Sequence, residues 1–128
     1  MDYLGTIIEE SLSAKNALQG IKILDTKVED VTDKHQTPWL KQWTLHKVEI
    51  GEVEAEDKAR YLSKFLDITH PGSWYMDYKN DQYHYIIFPD KVFKIDLQNP
   101  SPDLYKEAKD YGISLGIPEH QVDFKVTF

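Results

Sequence analysis

The segment that most restricts the fold is residues 74–96, WYMDYKNDQYHYIIFPDKVFKID. It is rich in aromatic and β-branched residues, and two turn-forming pairs, Asn80-Asp81 and Pro89-Asp90, interrupt it. Three extended runs separated by short turns predict an antiparallel meander. Its strands are expected near 73–79, 82–88 and 91–96. Such a meander requires other elements to cover at least one of its faces.

Two-residue turns would fix which side chains share a face of this meander, because successive residues of a strand point to opposite sides. In the resulting register Asp77 lies opposite His84. The first face then carries Tyr75, Asp77, His84, Ile86, Phe88, Phe93 and Ile95. The second face carries Trp74, Met76, Tyr78, Tyr83, Tyr85, Ile87, Val92, Lys94 and Asp96. We expect the first, more aliphatic face to be the helix-covered core and the second to be half exposed. A three-residue loop in either turn would exchange the faces beyond it.

Hydrophobic periodicity predicts the remaining elements. Apolar residues spaced three and four apart predict helices near 2–17, 53–66 and 102–115, the last with Ser101 as its N-cap and Gly116 at its end. β-Branched content predicts strands near 21–31 and 43–50, and a short last strand over 122–128. The sequence therefore predicts one α+β domain over 1–128, with an antiparallel sheet of about five strands and helices mainly on one face. A ferredoxin-like variant is one member of that class.

Composition excludes several classes of protein. The chain has no cysteine, so disulfides, zinc thiolates and thiol nucleophiles are excluded, which fits a cytoplasmic protein. Fifteen basic residues against twenty-two acidic ones give a net charge of −7, without the basic footprint that nucleic-acid binders need. No apolar run is long enough to span a membrane, and the first residues lack a signal-peptide pattern. We therefore expect neither a nucleic-acid nor a membrane partner.

Asp77 and His84 form the one acid–imidazole pair that the register places together. A carboxylate beside an imidazole orients it and raises its basicity, as general-base chemistry requires. Ser73, in the Pro71-Gly72-Ser73 turn, lies four residues upstream of Asp77. These three residues are the candidate catalytic group of an enzyme hypothesis. The alternative, which the sequence favours, is a structural cross-strand pair.

Other candidate sites have weaker sequence support. The five histidines form no tight ligand pair, and a metal site assembled across strands would need a set such as His46, Asp77 and His84. We predict no metal and no cofactor. Trp39 and Trp43 flank the start of a strand, where anchoring to the core is the favoured interpretation over a stacking platform for a ligand.

The aromatic second face is the predicted binding surface. It has more apolar groups than an uncovered sheet normally exposes, and each phenol needs a hydrogen-bond partner. A helix, a second copy in a homodimer or another partner would each cover it. The predicted function is therefore a small-ligand-binding or protein-interaction module, with acid–base catalysis by Asp77 and His84 as the alternative. The predicted binding residues are Trp74, Met76, Tyr78, Tyr83, Tyr85 and Lys94.

The stretches TPWLKQWTLHKVEI, HPGSWYMDYKND and YHYIIFPDKVFKID resemble a group of small prokaryotic proteins of unknown function. Members share a strand carrying W-x-L, then a helix, a P-G-x-W-Y turn and an F-x-D-K-V-F strand. The resemblance covers roughly residues 39–96. It implies one folded unit and brings no activity, ligand or catalytic residue.

Overall fold

The computed structural model describes residues 1–32, 40–68, 74–117, 119–122 and 124. These form six strands, two α-helices and short 3₁₀ turns. In chain order the strands and helices are β1 (Tyr3–Ile8), β2 (Lys22–Asp30), β3 (Gln42–Ile50), α1 (Ala55–Ser63), β4 (Met76–Lys79), β5 (Tyr83–Phe88), β6 (Lys91–Asp96) and α2 (Lys106–Ser114).

The six strands form one sheet in the order β2-β3-β1-β4-β5-β6, and every neighbouring pair is antiparallel. The predicted α+β class is confirmed, with six strands where about five were expected. The chain order β-β-β-α-β-β-β-α differs from the βαββαβ order of a ferredoxin-like fold. Two helices and one open sheet leave part of the sheet uncovered.

The predicted helix over 2–17 is wrong, because this segment forms β1 followed by two 3₁₀ turns. Tyr3 and Ile7 are buried in the core while Leu4 is exposed, which is the alternation of a strand. Gly5 explains the placement: a Cβ there would lie 2.1 Å from the carbonyl oxygen of Asp77 on β4. Glycine at this position therefore lets β1 enter the middle of the sheet, and the apolar spacing alone did not indicate this.

The meander is present, and both faces contain the predicted residues. The register across the second turn is as predicted, with Ile87 opposite Val92. The first connection is longer than two residues, because the side-chain oxygen of Asn80 accepts bonds from the N–H groups of Gln82 and Tyr83. Lys79 consequently pairs with His84, a shift of two residues from the prediction. A shift of two leaves every side chain on its predicted face.

The two helices lie on opposite faces of the sheet, whereas the sequence predicted helices mainly on one face. Ala55, Ala59 and Leu62 of α1 pack in one core cluster with the second face of the meander. Ala108 of α2 packs in the other cluster, which contains Ile86 and Phe88 of the first face. Both meander faces are apolar enough to require burial, and each one is covered by a helix.

Element ends differ modestly from the predictions. Helix α2 begins at Lys106, and Ser101 caps no helix because residues 101–105 form turns. Its end agrees with the prediction, since Gly116 adopts a φ of 91° just beyond it. The predicted last strand over 122–128 falls mostly outside the described residues, which include only Val122 and Phe124 of that segment, so it stays a prediction. Within the described residues no helix has the length and apolarity to cross a membrane.

Candidate functional site

Asp77, His84 and Tyr105 form a hydrogen-bonded chain on the first face. The Asp77 Oδ2 atom lies 2.6 Å from His84 Nε2, and His84 Nδ1 lies 2.9 Å from the Tyr105 hydroxyl. The sequence predicted that Asp77 and His84 would meet, and they do so diagonally because Asp77 lies directly opposite Ile86. Tyr105, which immediately precedes α2, was not predicted to be in this group.

The bonding pattern satisfies the imidazole on both sides. The Asp77 carboxylate accepts a hydrogen bond from the Nε2–H group of His84. The Nδ1 atom is then left to accept a hydrogen bond from the Tyr105 hydroxyl. Burial and the charge of Asp77 both raise the pKa of Tyr105, which keeps this phenol protonated as a donor. His84 is 5% exposed, beneath the rings of Tyr105 and Phe124. An imidazole so enclosed favours the structural interpretation of the Asp77–His84 pair over acid–base catalysis.

Within this hydrogen-bonded group, Asp77 is the residue that reaches solvent, with 37% of its side chain exposed. It lies opposite Thr6 on β1, next to the part of the sheet that α2 does not cover. The candidate nucleophile Ser73 and the rest of the Pro71-Gly72-Ser73 turn lie outside the described residues. The role of Ser73 as a nucleophile beside Asp77 and His84 therefore stays a prediction.

The aromatic second face is buried, and the expectation that it would be half exposed is wrong. Trp74, Met76, Tyr78 and Tyr85 are almost completely covered. The two alanines of α1 are small enough to let the helix lie against these rings, and the Tyr78 hydroxyl donates to the carbonyl of Ala55. Burial raises the pKa of both Tyr78 and Tyr85. Tyr78 and Tyr85, whose phenols suggested an interface, thus lie inside the core.

Tyr83 and Lys94 are the predicted binding residues that remain at the surface. The Lys94 ammonium lies 4.2 Å from the centroid of the Tyr83 ring, a cation–π distance. Tyr83 is half buried and Lys94 is exposed at the β6 edge. Together they make a small contact area, much smaller than the nine-residue face that the sequence predicted.

A second buried histidine, His46, lies on the opposite face from His84. Its Nδ1 atom is 2.9 Å from the Thr26 hydroxyl, and its Nε2 atom is 3.3 Å from a Glu9 carboxylate oxygen. Glu9 belongs to the segment predicted as helix, so the sequence could not indicate this contact. The hypothetical metal set of His46, Asp77 and His84 is not brought together. No cluster of three or more potential ligand side chains that could hold a metal occurs in the part of the chain that the structure describes.

Trp43 lies beside the α1-side core, with its ring centroid 5.5 Å from that of Trp74. This agrees with the anchoring interpretation. Trp39 lies outside the described residues, so its predicted role stays a prediction.

Strand β2 forms one edge of the sheet and differs from every other strand in exposure. Eight of its nine residues are exposed, on both faces. Ile23, Leu24 and Val28 are 42%, 44% and 54% exposed. These are large apolar side chains on a strand that neither helix covers. The sequence predicted β2 as a strand but gave no indication that it lies outside the core.

The outer backbone edge of β2 can be assigned from two hydrogen bonds. The Val31 N–H donates to the carbonyl of Lys41 at 2.9 Å, so it points toward β3. The Thr26 N–H instead donates to the side chain of Asp25 at 2.9 Å. Backbone groups alternate in direction along an antiparallel strand. Thr26 and Val28 therefore direct their backbone groups away from β3, toward the outer edge.

Comparison with known proteins gives no relative: no family model, no curated protein and no solved structure matches this chain.

Proposed function

We propose that this protein is a protein-binding module that adds an extended segment of a partner to the outer edge of β2. The observation that carries the proposal is the exposure of this strand, which offers backbone donors and acceptors along one edge and apolar side chains beside them. Strand addition uses both: main-chain hydrogen bonds give affinity, and alternate side chains give specificity.

The exposed strand is a liability unless it has a use. Long edge strands with apolar residues pair with other chains, and proteins usually shorten, charge or cover them. Here the sheet continues through β3 into a well-packed core, so β2 is held in an extended conformation without being covered. A preformed strand lowers the entropy cost of adding another strand. This surface replaces the aromatic face as the proposed site of protein interaction.

Two features of β2 limit its pairing with unsuitable partners. A bulge interrupts its register with β3 between Ile23 and Asp25, and the Asp25 carboxylate occupies the outward N–H of Thr26. Bulges and edge charges both reduce indiscriminate pairing. A partner must therefore match a short segment and displace the Asp25 carboxylate from this N–H.

A peptide-library selection tests the proposal with two variants at one position. Val28→Pro removes an outward N–H at an edge position where proline is tolerated. Val28→Thr keeps that N–H and the β-branched shape. We expect displayed peptides that bind the wild type to lose binding to Val28→Pro and to keep most of it with Val28→Thr. Selected peptides that bind both variants equally, or no selected peptide at all, would contradict the proposal.

A further inference from the structure

The residues of β2 are complementary to a second, antiparallel copy of β2. We infer that the partner of this edge is another molecule of the same chain, paired across a two-fold axis that passes beside Thr26. This inference rests on the proposed function of the edge, and it names the partner. Symmetric self-pairing is the usual way in which soluble proteins form dimers.

The direction of the backbone groups restricts the registers that two copies can adopt. Residues that point their backbone groups at the partner must lie opposite one another. Thr26 and Val28 are such residues, as the hydrogen bonds of Thr26 and Val31 show. Asp30 points outward by the same alternation, so Thr26 can lie opposite Thr26, Val28 or Asp30 of the other copy. The side chains and the charge-reversal variants described below distinguish these registers.

With Thr26 opposite Thr26, Asp25 of each copy lies opposite Lys27 of the other. This arrangement gives two opposite-charge pairs and a central threonine pair, both of which stabilise antiparallel sheets. Moving the register by two residues places Lys27 opposite Lys27, or Asp25 opposite Asp25. Like charges directly opposite each other destabilise a sheet.

The bulge in β2 limits the length of this ladder. Leu24 is the unpaired residue of the bulge, so regular strand geometry begins at Asp25 and the symmetric ladder extends over residues 25–27 of each copy. On pairing, the Thr26 N–H exchanges its bond with Asp25 for one with the Thr26 carbonyl of the other copy. The released Asp25 carboxylate then meets Lys27. The Asp25 carboxylate thus accepts the Thr26 N–H in the single chain and contacts Lys27 of the other copy in the dimer.

So short a ladder buries little surface, and we therefore expect a weak dimer. Interfaces below about 1,200 Å² are typical of transient encounters. Sedimentation equilibrium of the wild type up to about 1 mM, a concentration that populates complexes of millimolar affinity, should show a monomer–dimer equilibrium. A wild type that stays monomeric over this range would overturn the inference.

Charge reversal tests the register. Asp25→Lys places two lysines opposite each other in both symmetric pairs, and Lys27→Asp does the same with two aspartates. The dimer dissociation constant of each single variant should be at least about tenfold higher than that of the wild type. An equimolar mixture of the two variants restores both opposite-charge pairs, and so does the double variant in one chain. Both should recover dimers.

Recovery on mixing also excludes a folding defect, since a misfolded variant would not regain a specific partner. Asp25→Lys additionally frees the Thr26 N–H, so its loss of dimer could not come from a blocked edge. If the single variants dimerise as well as the wild type, or if mixing restores nothing, the inference is wrong. Peptides that require the Val28 N–H, found together with a monomeric wild type, would overturn self-pairing and leave the proposed strand addition intact.

Discussion

The two halves of the sheet are built from similar alternating strands but differ in what covers them. Strands β4, β5 and β6 lie between α1 and α2, and residues 84–88 of β5 are all buried. Strand β2 lies beyond both helices and is exposed along nearly its whole length. The difference shows that alternation specifies a strand, whereas the position of a helix decides whether the strand becomes core or surface.

The largest expected effect contrasts one residue type in the two halves. Ile87→Ala in β5 removes a fully buried side chain and should lower the free energy of unfolding by about 2–5 kcal/mol. Ile23→Ala in β2 should lower it by about 1 kcal/mol or less, since Ile23 is already 42% exposed. Urea unfolding of both variants measures the contrast. Equal losses would mean that the β2 half is packed as tightly as the β5 half.

Gly5 joins the two halves, because β1 pairs with β3 on one side and with β4 on the other. Gly5→Ala would place a methyl group against the β4 backbone, which has no flexible side-chain end to move aside. We expect a loss of about 1–3 kcal/mol, as for other overpacked sites. Gly51→Ala is a suitable control, since its added Cβ would meet only the end of the Glu54 side chain at 3.4 Å. Thermal unfolding that places both variants at the wild-type midpoint would contradict the tight β1–β4 approach.

Removing a carboxylate should also have a different effect on stability in the two halves. Asp77→Ala leaves the buried His84 without its Nε2 partner and should cost about 1–3 kcal/mol. Glu49→Ala breaks only the pair with Lys22, whose atoms lie 3.4 Å apart at an exposed site, and should cost less than about 1 kcal/mol. Chemical denaturation at neutral pH compares the two. A negligible cost for Asp77→Ala would remove the structural interpretation of this pair and reopen its role in chemistry.

Of the four main variants, with the controls set aside, Tyr78→Phe should have the smallest effect at neutral pH. Tyr78→Phe loses the bond to the Ala55 carbonyl and should cost about 0.5–1.5 kcal/mol. Burial raises the pKa of Tyr78 above its ordinary value of 10.0, so the unfolded chain loses this proton first as the pH rises. The stability from the protonated phenol is therefore complete below pH 10 and declines above it.

The Tyr78→Phe variant should accordingly lose stability less steeply than the wild type above pH 10. When the free energy of unfolding is measured at intervals above that pH, the values for the variant and the wild type should converge. A constant difference between them would mean that Tyr78 does not titrate differently in the folded and unfolded chains.

Much of the meander was predictable because its determinants are local. The Pro89-Asp90 turn fixed the β5–β6 register. The faces remained correct even though the turn at Asn80 shifted the β4–β5 register by two residues. The contact of Asp77 with His84 followed from this sorting. Tyr105 did not, because it approaches from a segment distant in sequence, and no periodicity links it to β5. Most of the predicted binding surface lies in the core for a related reason, since exposure depends on neighbours that alternation does not specify.

The sequence by itself determined which segments of the meander are extended and which of its side chains share a face, because a two-residue period and turn chemistry act between near neighbours. Only the tertiary structure decided that residues 3–8 form a central strand, that α1 covers the aromatic face and that β2 stays open. Those outcomes depend on packing between segments far apart in the chain: the close approach that Gly5 allows, the flat alanine face of α1 and the reach of two short helices. A pattern along one segment specifies what must be buried, and the rest of the molecule decides what buries it.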